Sequence, residues 1–139
     1  MYRFLIVCFL ICSSSWSQSN QEIFFYSADF ERTLAFAEEV NRPIFIDLYA
    51  IWCGPCRKMS KEVFTDPEIA EFFNANFINK KINAEKGEGI ELAKKFKVKS
   101  YPNLVFLNSE GEVILKAKGY QNAKQLKRLA IKALKKMDY

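Results

Sequence analysis

The spacing of apolar residues in the first third of the chain predicts a strand, a helix and a second strand. Residues 23–26 form a short apolar run that is typical of a strand. Asp29 is a residue type that caps helices, and apolar positions recur at helical spacing over 30–40. Residues 44–50 are almost continuously apolar, as in a strand that is buried on both faces. The one charged residue in this strand is Asp47.

The rest of the chain continues this alternation and closes with a hairpin. The pattern predicts four helices: over 53–64, from Asp66-Pro67 onward, over 89–97 and around the apolar positions of 126–137. It also predicts three strands, over 77–84, 103–107 and 113–117. The predicted order is therefore β-α-β-α-α-β-α-β-β-α. Strands joined through helices pair in parallel, whereas a hairpin adds antiparallel strands. We therefore expect an α/β fold with a central mixed β-sheet flanked by helices on both faces.

The first 17 residues have the three-part pattern of a secretory signal peptide. Arg3 precedes an apolar run over 4–11, and a Ser-rich stretch ends in the small-x-small sequence Ser15-Trp16-Ser17. The run is shorter than the about 20 apolar residues that a membrane-spanning helix needs. We expect cleavage after residue 17, one domain over 18–139, and export, to the periplasm in a Gram-negative bacterium and otherwise by secretion. The alternative is an uncleaved N-terminal anchor.

The composition of the chain excludes several kinds of chemistry. The 139 residues include no His, which excludes His-based acid–base catalysis, Cys-His or Ser-His nucleophiles and His-ligated zinc or haem. The net charge is +5, and basic residues are frequent in the final helix. We interpret them as a solvated helix face, rather than a site for nucleic acid or a membrane. We expect no nucleic-acid partner and a monomer.

Two of the four cysteines, Cys53 and Cys56, lie beyond the predicted cleavage site and only three positions apart. A disulfide between such close residues contributes little to the stability of a secreted fold. Two thiolates do not complete a zinc site, which needs about four ligands. Haem attachment requires a His directly after the pair, where this chain has Arg57. We favour reversible dithiol–disulfide exchange over a static disulfide, and we expect no metal and no cofactor.

The predicted position of Cys53 indicates which sulfur reacts first. Cys53 lies where the buried strand gives way to a helix, so free backbone N–H groups and the helix dipole favour its thiolate. Cys56 lies one helical turn further in and is placed to attack the mixed disulfide that Cys53 forms. Gly54 permits close approach of another backbone. Pro55 suits the helix start, where its missing N–H costs nothing.

The segment over 45–59, which contains Trp52-Cys53-Gly54-Pro55-Cys56, resembles the active-site segment of thioredoxin. The resemblance extends from about residue 44 to the last helix. It implies the thioredoxin fold for the domain over 18–139, a redox-active disulfide between Cys53 and Cys56, and protein substrates that carry disulfides.

The resemblance also implies roles for two charged residues outside the motif. Asp47 matches the family's buried Asp, whose pKa is raised by desolvation and which accepts the proton of the second cysteine, here Cys56. The alternative is a purely structural buried acid. Lys81 matches a lysine that neutralises this Asp, and Lys80 is the alternative if the register slips by one residue.

Three further residues are expected to bind substrate. Pro102 matches the family's cis-proline, and Tyr101 before it would flank the sulfurs where an extended substrate pairs with the backbone. An ordinary trans proline is the alternative. Trp52 is interpreted as an apolar rim of the site or as partial core packing. Together with Gly54 and Pro55, these residues form the expected substrate-binding set.

The function that follows from this resemblance is an exported protein-disulfide reductase. The compartments that receive exported proteins are oxidising, so such an enzyme needs an electron donor. We expect this donor to be a membrane thiol-reductase. The segment over 63–68 resembles exported thioredoxin-like proteins, including the C-terminal domain of such a membrane thiol-reductase. Tyr101 instead resembles protein disulfide isomerase, so an oxidase or isomerase is an alternative. A binding module without catalysis is a third.

Overall fold

The structure of this chain, a computed structural model, describes residues 22–137. The predicted signal peptide over 1–17, with its cleavage site, lies outside the described residues. Within the described range, no helix combines the length and the apolar character that crossing a membrane requires.

Five helices and four strands are described, and they include every predicted element except the first strand. The elements are α1 (Phe30–Glu39), β1 (Ile44–Tyr49), α2 (Gly54–Glu62), α3 (Pro67–Asn76), β2 (Ile78–Asn83), α4 (Glu88–Lys95), β3 (Asn103–Leu107), β4 (Val113–Lys118) and α5 (Ala123–Met137). The strands form one sheet in the order β2-β1-β3-β4. The β1–β2 pair is parallel, and the β1–β3 and β3–β4 pairs are antiparallel. The predicted mixed sheet is confirmed.

The predicted strand over 23–26 was wrong, since this segment makes only one isolated bridge, between Phe25 and Asn79 of β2. Its N–H groups go to three different parts of the fold, which prevents a regular ladder. Ile23 donates to the carbonyl of Phe64 at 2.8 Å, Phe24 donates to the side chain of Asn74, and Tyr26 donates to the carbonyl of Asn79 at 2.9 Å. The segment therefore ties α2, α3 and the edge of β2 together.

Helices cover both faces of the sheet, because side chains alternate along each strand. Phe45 of β1 packs with α2, α3 and α5, and its ring lies 4.8 Å from that of Phe73 and 5.1 Å from that of Phe106 (centroid to centroid). Ile44, Ile46 and Leu48 point to the other face, where α1 and α4 pack. Asp47 shares the parity of Phe45, so it belongs to the face that α2 covers.

The helix starts that position the site follow the expected capping pattern. Asp66 caps α3 by accepting hydrogen bonds from the N–H groups of Glu68 at 3.0 Å and Ile69 at 3.1 Å. Pro67 is the first residue of that helix. Cys53 caps α2, so the junction between β1 and α2 falls at the first cysteine, as predicted.

Candidate active site

The two cysteines are joined by a disulfide at the start of α2. The S–S bond between Cys53 and Cys56 is 2.17 Å long, and the Cα atoms are 5.3 Å apart. The backbone N–H of Cys56 donates a hydrogen bond to Sγ of Cys53 at 3.2 Å. This donor and the positive end of the helix dipole both stabilise negative charge on Cys53 once the disulfide is reduced.

Both cysteines are buried in this oxidised state, with Cys53 3% and Cys56 2% exposed. They pack with Ala50 at the end of β1, and with the half-buried rings of Tyr49 and Tyr101. Only a small part of the disulfide is therefore accessible to a partner in this state.

The two residues between the cysteines begin the helix. Gly54 is the first residue of α2, and Pro55 is the second, where its missing N–H leaves no hydrogen bond unmade. A Cβ placed on Gly54 would come no closer than 4.0 Å to the side chain of Arg57. No contact within the fold therefore demands a glycine here, and the backbone of this turn is left open to an approaching chain.

A buried carboxylate and a lysine form an ion pair beneath the dithiol's helix. Asp47 of β1 is fully buried, and its Oδ2 lies 3.2 Å from Nζ of Lys81 on β2. Burial raises the pKa of Asp47 above its usual range, and the nearby ammonium of Lys81 offsets part of that rise. A carboxyl group in this setting keeps its proton to a higher pH than an exposed aspartic acid does.

The register between β1 and β2 places Lys81, and not the neighbouring Lys80, beside Asp47. Asp47 pairs with Lys81 directly across the parallel strands. Lys80 points to the opposite face, where it donates to the carbonyl of Ala28 and lies 3.3 Å from a carboxylate oxygen of Glu88. The alternative assignment to Lys80 is therefore wrong for this geometry.

The rim of the site is aromatic and partly exposed. The peptide bond between Tyr101 and Pro102 is cis, as the resemblance implied. The ring of Tyr101 lies 5.7 Å from that of Trp52 (centroid to centroid), in an edge-to-face arrangement. Trp52 is 66% exposed and neighbouring Ile51 is 71% exposed. Trp52 therefore forms an exposed rim and does not pack in the core.

Two residues at the site, Glu85 and Ser60, were missed by sequence reasoning. The indole N–H of Trp52 donates to the carboxylate of Glu85, with the nearer oxygen at 3.0 Å. The hydroxyl of Ser60 donates to the carbonyl of Cys56 at 3.1 Å and accepts a hydrogen bond from Lys81. Ser60 could have been suspected, because it follows Cys56 by four residues on one face of a helix. Glu85 gives no comparable signal.

A cavity of about 280 Å³ opens beside Cys56, and its wall includes Ser60, Lys61 and Lys81. It brings the second cysteine and the lysine of the ion pair to one solvent-accessible space. Across residues 22–137, no group of three or more His, Cys, Asp and Glu side chains is arranged to hold a metal ion. Two cysteines three residues apart at a helix start, one of them beside this cavity, are suited to thiol–disulfide exchange.

The chain is similar in sequence to a known domain family and to known thiol–disulfide interchange proteins. Residues 30–134 match the family described as the thioredoxin-like domain. The Thiol:disulfide interchange protein DsbD of Yersinia pestis is 32% identical over 92 residues, which cover 64% of this chain and 16% of that protein. DsbD 2 of Pseudomonas aeruginosa is 31% identical over 86 residues, covering 61% of this chain and 15% of that protein. The chain thus spans about a sixth of the length of these curated relatives.

Solved structures of other proteins superimpose on this chain. A proposed disulphide-isomerase of Bacteroides thetaiotaomicron superimposes with a TM-score of 0.71 and is 42% identical, over 80% of this chain and 93% of that one. A thioredoxin of Thermus thermophilus gives a TM-score of 0.71 at 24% identity, over 83% of this chain and 90% of that one. The second likeness concerns the fold alone, and both have the predicted thioredoxin fold.

Proposed function

Since the chain belongs to the thioredoxin-like domain family of thiol–disulfide oxidoreductases, we propose that it is an exported reductase of protein disulfides. The observation that carries this proposal is the position of Cys53 at the N-terminus of α2, with the amide of Cys56 directed at its sulfur. Such a sulfur ionises readily, and a thiolate is the form that attacks disulfides.

The first step uses only the reduced form of the pair. The Cys53 thiolate attacks one sulfur of a substrate disulfide, a new S–S bond forms, and the other substrate sulfur leaves as a thiolate that takes up a proton. Substrate and enzyme are then joined through Cys53. The exposed side chains of Ile51 and Trp52 offer apolar surface to the substrate chain at this stage.

The second step releases the substrate. Asp47 accepts the proton of the Cys56 thiol, and the resulting thiolate attacks the sulfur of Cys53. The mixed disulfide breaks, the second substrate sulfur leaves as a thiolate and is protonated, and the Cys53–Cys56 disulfide forms. In total, two electrons pass from the enzyme dithiol to the substrate disulfide. The pKa of Asp47, raised by burial, supports its role as the proton acceptor.

Binding of the substrate is assigned to the surface around the sulfurs. Trp52 and Tyr101 form its aromatic rim, and Gly54 and Pro55 leave the turn between the cysteines open. The backbone before Pro102 is proposed to pair with an extended stretch of the substrate, as a strand added at an edge.

The direction of electron flow and the compartment belong to this proposal. The Gly-Pro dipeptide between the cysteines resembles that of reducing members of the family, and the predicted signal peptide supports a location outside the cytoplasm. An oxidising compartment does not regenerate a dithiol, so a membrane thiol-reductase is the proposed electron donor.

Reduction of insulin tests the proposal. The purified chain should accelerate the precipitation of insulin by dithiothreitol, and Cys53→Ser should abolish the acceleration. Cys56→Ala should accumulate a covalent complex with the substrate, because the second step is blocked. A wild-type chain without effect on insulin would contradict the reductase. A Cys53→Ser variant that keeps its effect in cells would point to a binding module.

A second candidate function is disulfide oxidation or isomerisation by the same pair. It is favoured by Tyr101 before the proline, and by the 42% identity to the proposed disulphide-isomerase of Bacteroides thetaiotaomicron. The reduction potential separates the two functions. A value near about −270 mV, as in thioredoxin, indicates a reductase, whereas about −120 to −180 mV indicates an oxidase or isomerase.

A further inference from the structure

The ammonium group of Lys81 lies among three aromatic rings. Nζ is 5.0 Å from the ring centroid of Phe64, 5.1 Å from that of Tyr49 and 5.7 Å from that of Phe25. Each ring attracts a cation that lies over its face, but none of the three rings contacts the carboxylate of Asp47 through this attraction. The rings therefore keep the charge in this region without fixing its distance from Asp47.

Lys81 also borders empty space on two sides. It lines the cavity of about 280 Å³ beside Cys56, and a second cavity of about 450 Å³ whose wall includes residues 22–25. The side chain of Lys81 is 26% exposed. A flexible lysine with room on both sides needs a directional contact to stay beside a carboxylate.

Ser60 provides that contact and ties it to the second cysteine. Its hydroxyl accepts a hydrogen bond from Nζ of Lys81 and donates one to the carbonyl of Cys56, at 3.1 Å. One side chain therefore connects the ion pair of the sheet to the helix that carries the dithiol. Ser60 borders both cavities, so it stands between the two spaces that Lys81 could otherwise enter.

Building on the proposed function, we propose that Ser60 is a positioning residue that fixes Lys81 beside Asp47 and thereby sets the pH range in which Asp47 accepts the proton of Cys56. A firmly held ammonium favours the charged carboxylate, which is the form able to take that proton. When Lys81 is free to move into either cavity, the carboxyl group stays protonated up to a higher pH, and release of the substrate slows.

Other charged and titratable groups surround this site without pairing with Asp47. Tyr49, Arg57 and Lys61 line the cavity beside Cys56, and Glu22 lines the second cavity. Among residues 22–137, the described ion pairs include only one with Asp47, the pair with Lys81. A change at Ser60 therefore reaches Asp47 through Lys81.

The test compares Ser60→Ala with a conservative variant and a matched control in the full, reduced chain. Ser60→Thr keeps the hydroxyl. Thr65 donates to the carbonyl of Lys61, four residues earlier, at 2.6 Å, so Thr65→Ala removes the same kind of bond away from Asp47. The carboxyl carbon of Asp47 is followed by NMR across a pH series, and insulin reduction is measured over the same series.

Ser60→Ala should move the titration midpoint of Asp47 upward and reduce insulin about threefold more slowly at neutral pH, near the lower end of the effect of one hydrogen bond. Ser60→Thr should restore both values, and Thr65→Ala should match the wild type. Overlapping wild-type and Ser60→Ala titrations would overturn the positioning role. The NMR titration decides this even if no variant reduces insulin, in which case the proposed function fails by itself.

Discussion

Asp47 and Lys81 are opposite each other on adjacent parallel strands, and their side chains meet at 3.2 Å on the face covered by α2. Because backbone register fixes this pairing, it depends on the sheet rather than on a chance surface contact. The pair places a buried carboxyl group under the helix that carries the dithiol. Its protonation links the stability of the fold to the chemistry of the site.

Replacing Asp47 should change how stability depends on pH. Burial raises the pKa of Asp47 in the folded chain, so that chain keeps a proton which the unfolded chain loses once the pH exceeds about 3.9. The free energy of unfolding therefore falls as the pH rises through the window between the unfolded and folded values, and the penalty is constant above it. Asp47→Ala removes this fall.

Urea unfolding of the oxidised chain at several pH values measures this effect. The difference in unfolding free energy, variant minus wild type, should increase with pH across that window. Lost packing adds an offset that does not vary with pH, so the slope is the diagnostic quantity. If the unfolding free energies of the two chains depended on pH in the same way, the pKa of Asp47 would not be raised in the folded chain.

The two neighbouring lysines should respond differently to the same substitution. Lys81→Met removes the charge that lowers the pKa of Asp47, so the titration midpoint of Asp47 should rise, and insulin reduction at neutral pH should slow. Lys80→Met breaks contacts to Glu88 and Ala28 on the other face. The Lys80→Met substitution should lower the unfolding free energy by about 1–3 kcal/mol and leave the titration midpoint of Asp47 unchanged.

These two variants serve as controls for each other. Each removes one positive charge from β2, so a general effect of net charge would move both titrations equally. A shift of the Asp47 midpoint in Lys80→Met that equals the shift in Lys81→Met would contradict the strand register described above.

The exposed Trp52 should matter for protein substrates more than for stability. Trp52→Ala should raise the KM for a protein disulfide by about tenfold, since a buried aromatic anchor in an interface contributes at least about that much. Reduction of a small aromatic disulfide should change little, and the unfolding free energy should fall by only about 1 kcal/mol, through the lost contacts with Glu85 and Tyr101. Phe24, which is 55% exposed and pairs with Tyr26, supplies the control Phe24→Ala.

The core beneath the site contains a cluster of aromatic rings, and Phe73 packs against several of them. Its ring lies 4.8 Å from that of Phe45 and 5.2 Å from that of Phe77, and it is fully buried. Phe73→Ala should destabilise the chain by about 3–5 kcal/mol in urea unfolding, because it leaves a cavity. A loss below about 1 kcal/mol would mean that the packing around α3 is looser than described.

The sequence predicted the elements and the chemistry of the site where a local pattern carries the information. An apolar strand interrupted by one acid singled out Asp47, whose role was implied by the resemblance to thioredoxin, and two cysteines at a strand–helix junction indicated the dithiol. The alternation of elements also predicted the mixed sheet, because parallel and antiparallel pairing follow from how strands are connected.

What could not be predicted depends on relations between distant segments. Lys80 and Lys81 are equivalent in sequence, and only the pairing of β2 with β1 decides which one faces Asp47. The bond between Ser60 and Lys81 joins residues that are 21 positions apart. The segment over 23–26 has the composition of a strand, but its hydrogen bonds go to three different partners.

The ionisation of Cys53 in the reduced chain tests the central claim most directly. The rate of alkylation at Cys53 is measured over a pH series, with the modified peptide identified by mass spectrometry so that the other cysteines do not contribute, and Cys53→Ser reports Cys56 alone. Because an amide N–H and the start of α2 stabilise the thiolate, the rate should reach half its maximum well below the value of about 8.5 for a free cysteine. A midpoint at about 8.5 would contradict the proposed nucleophile.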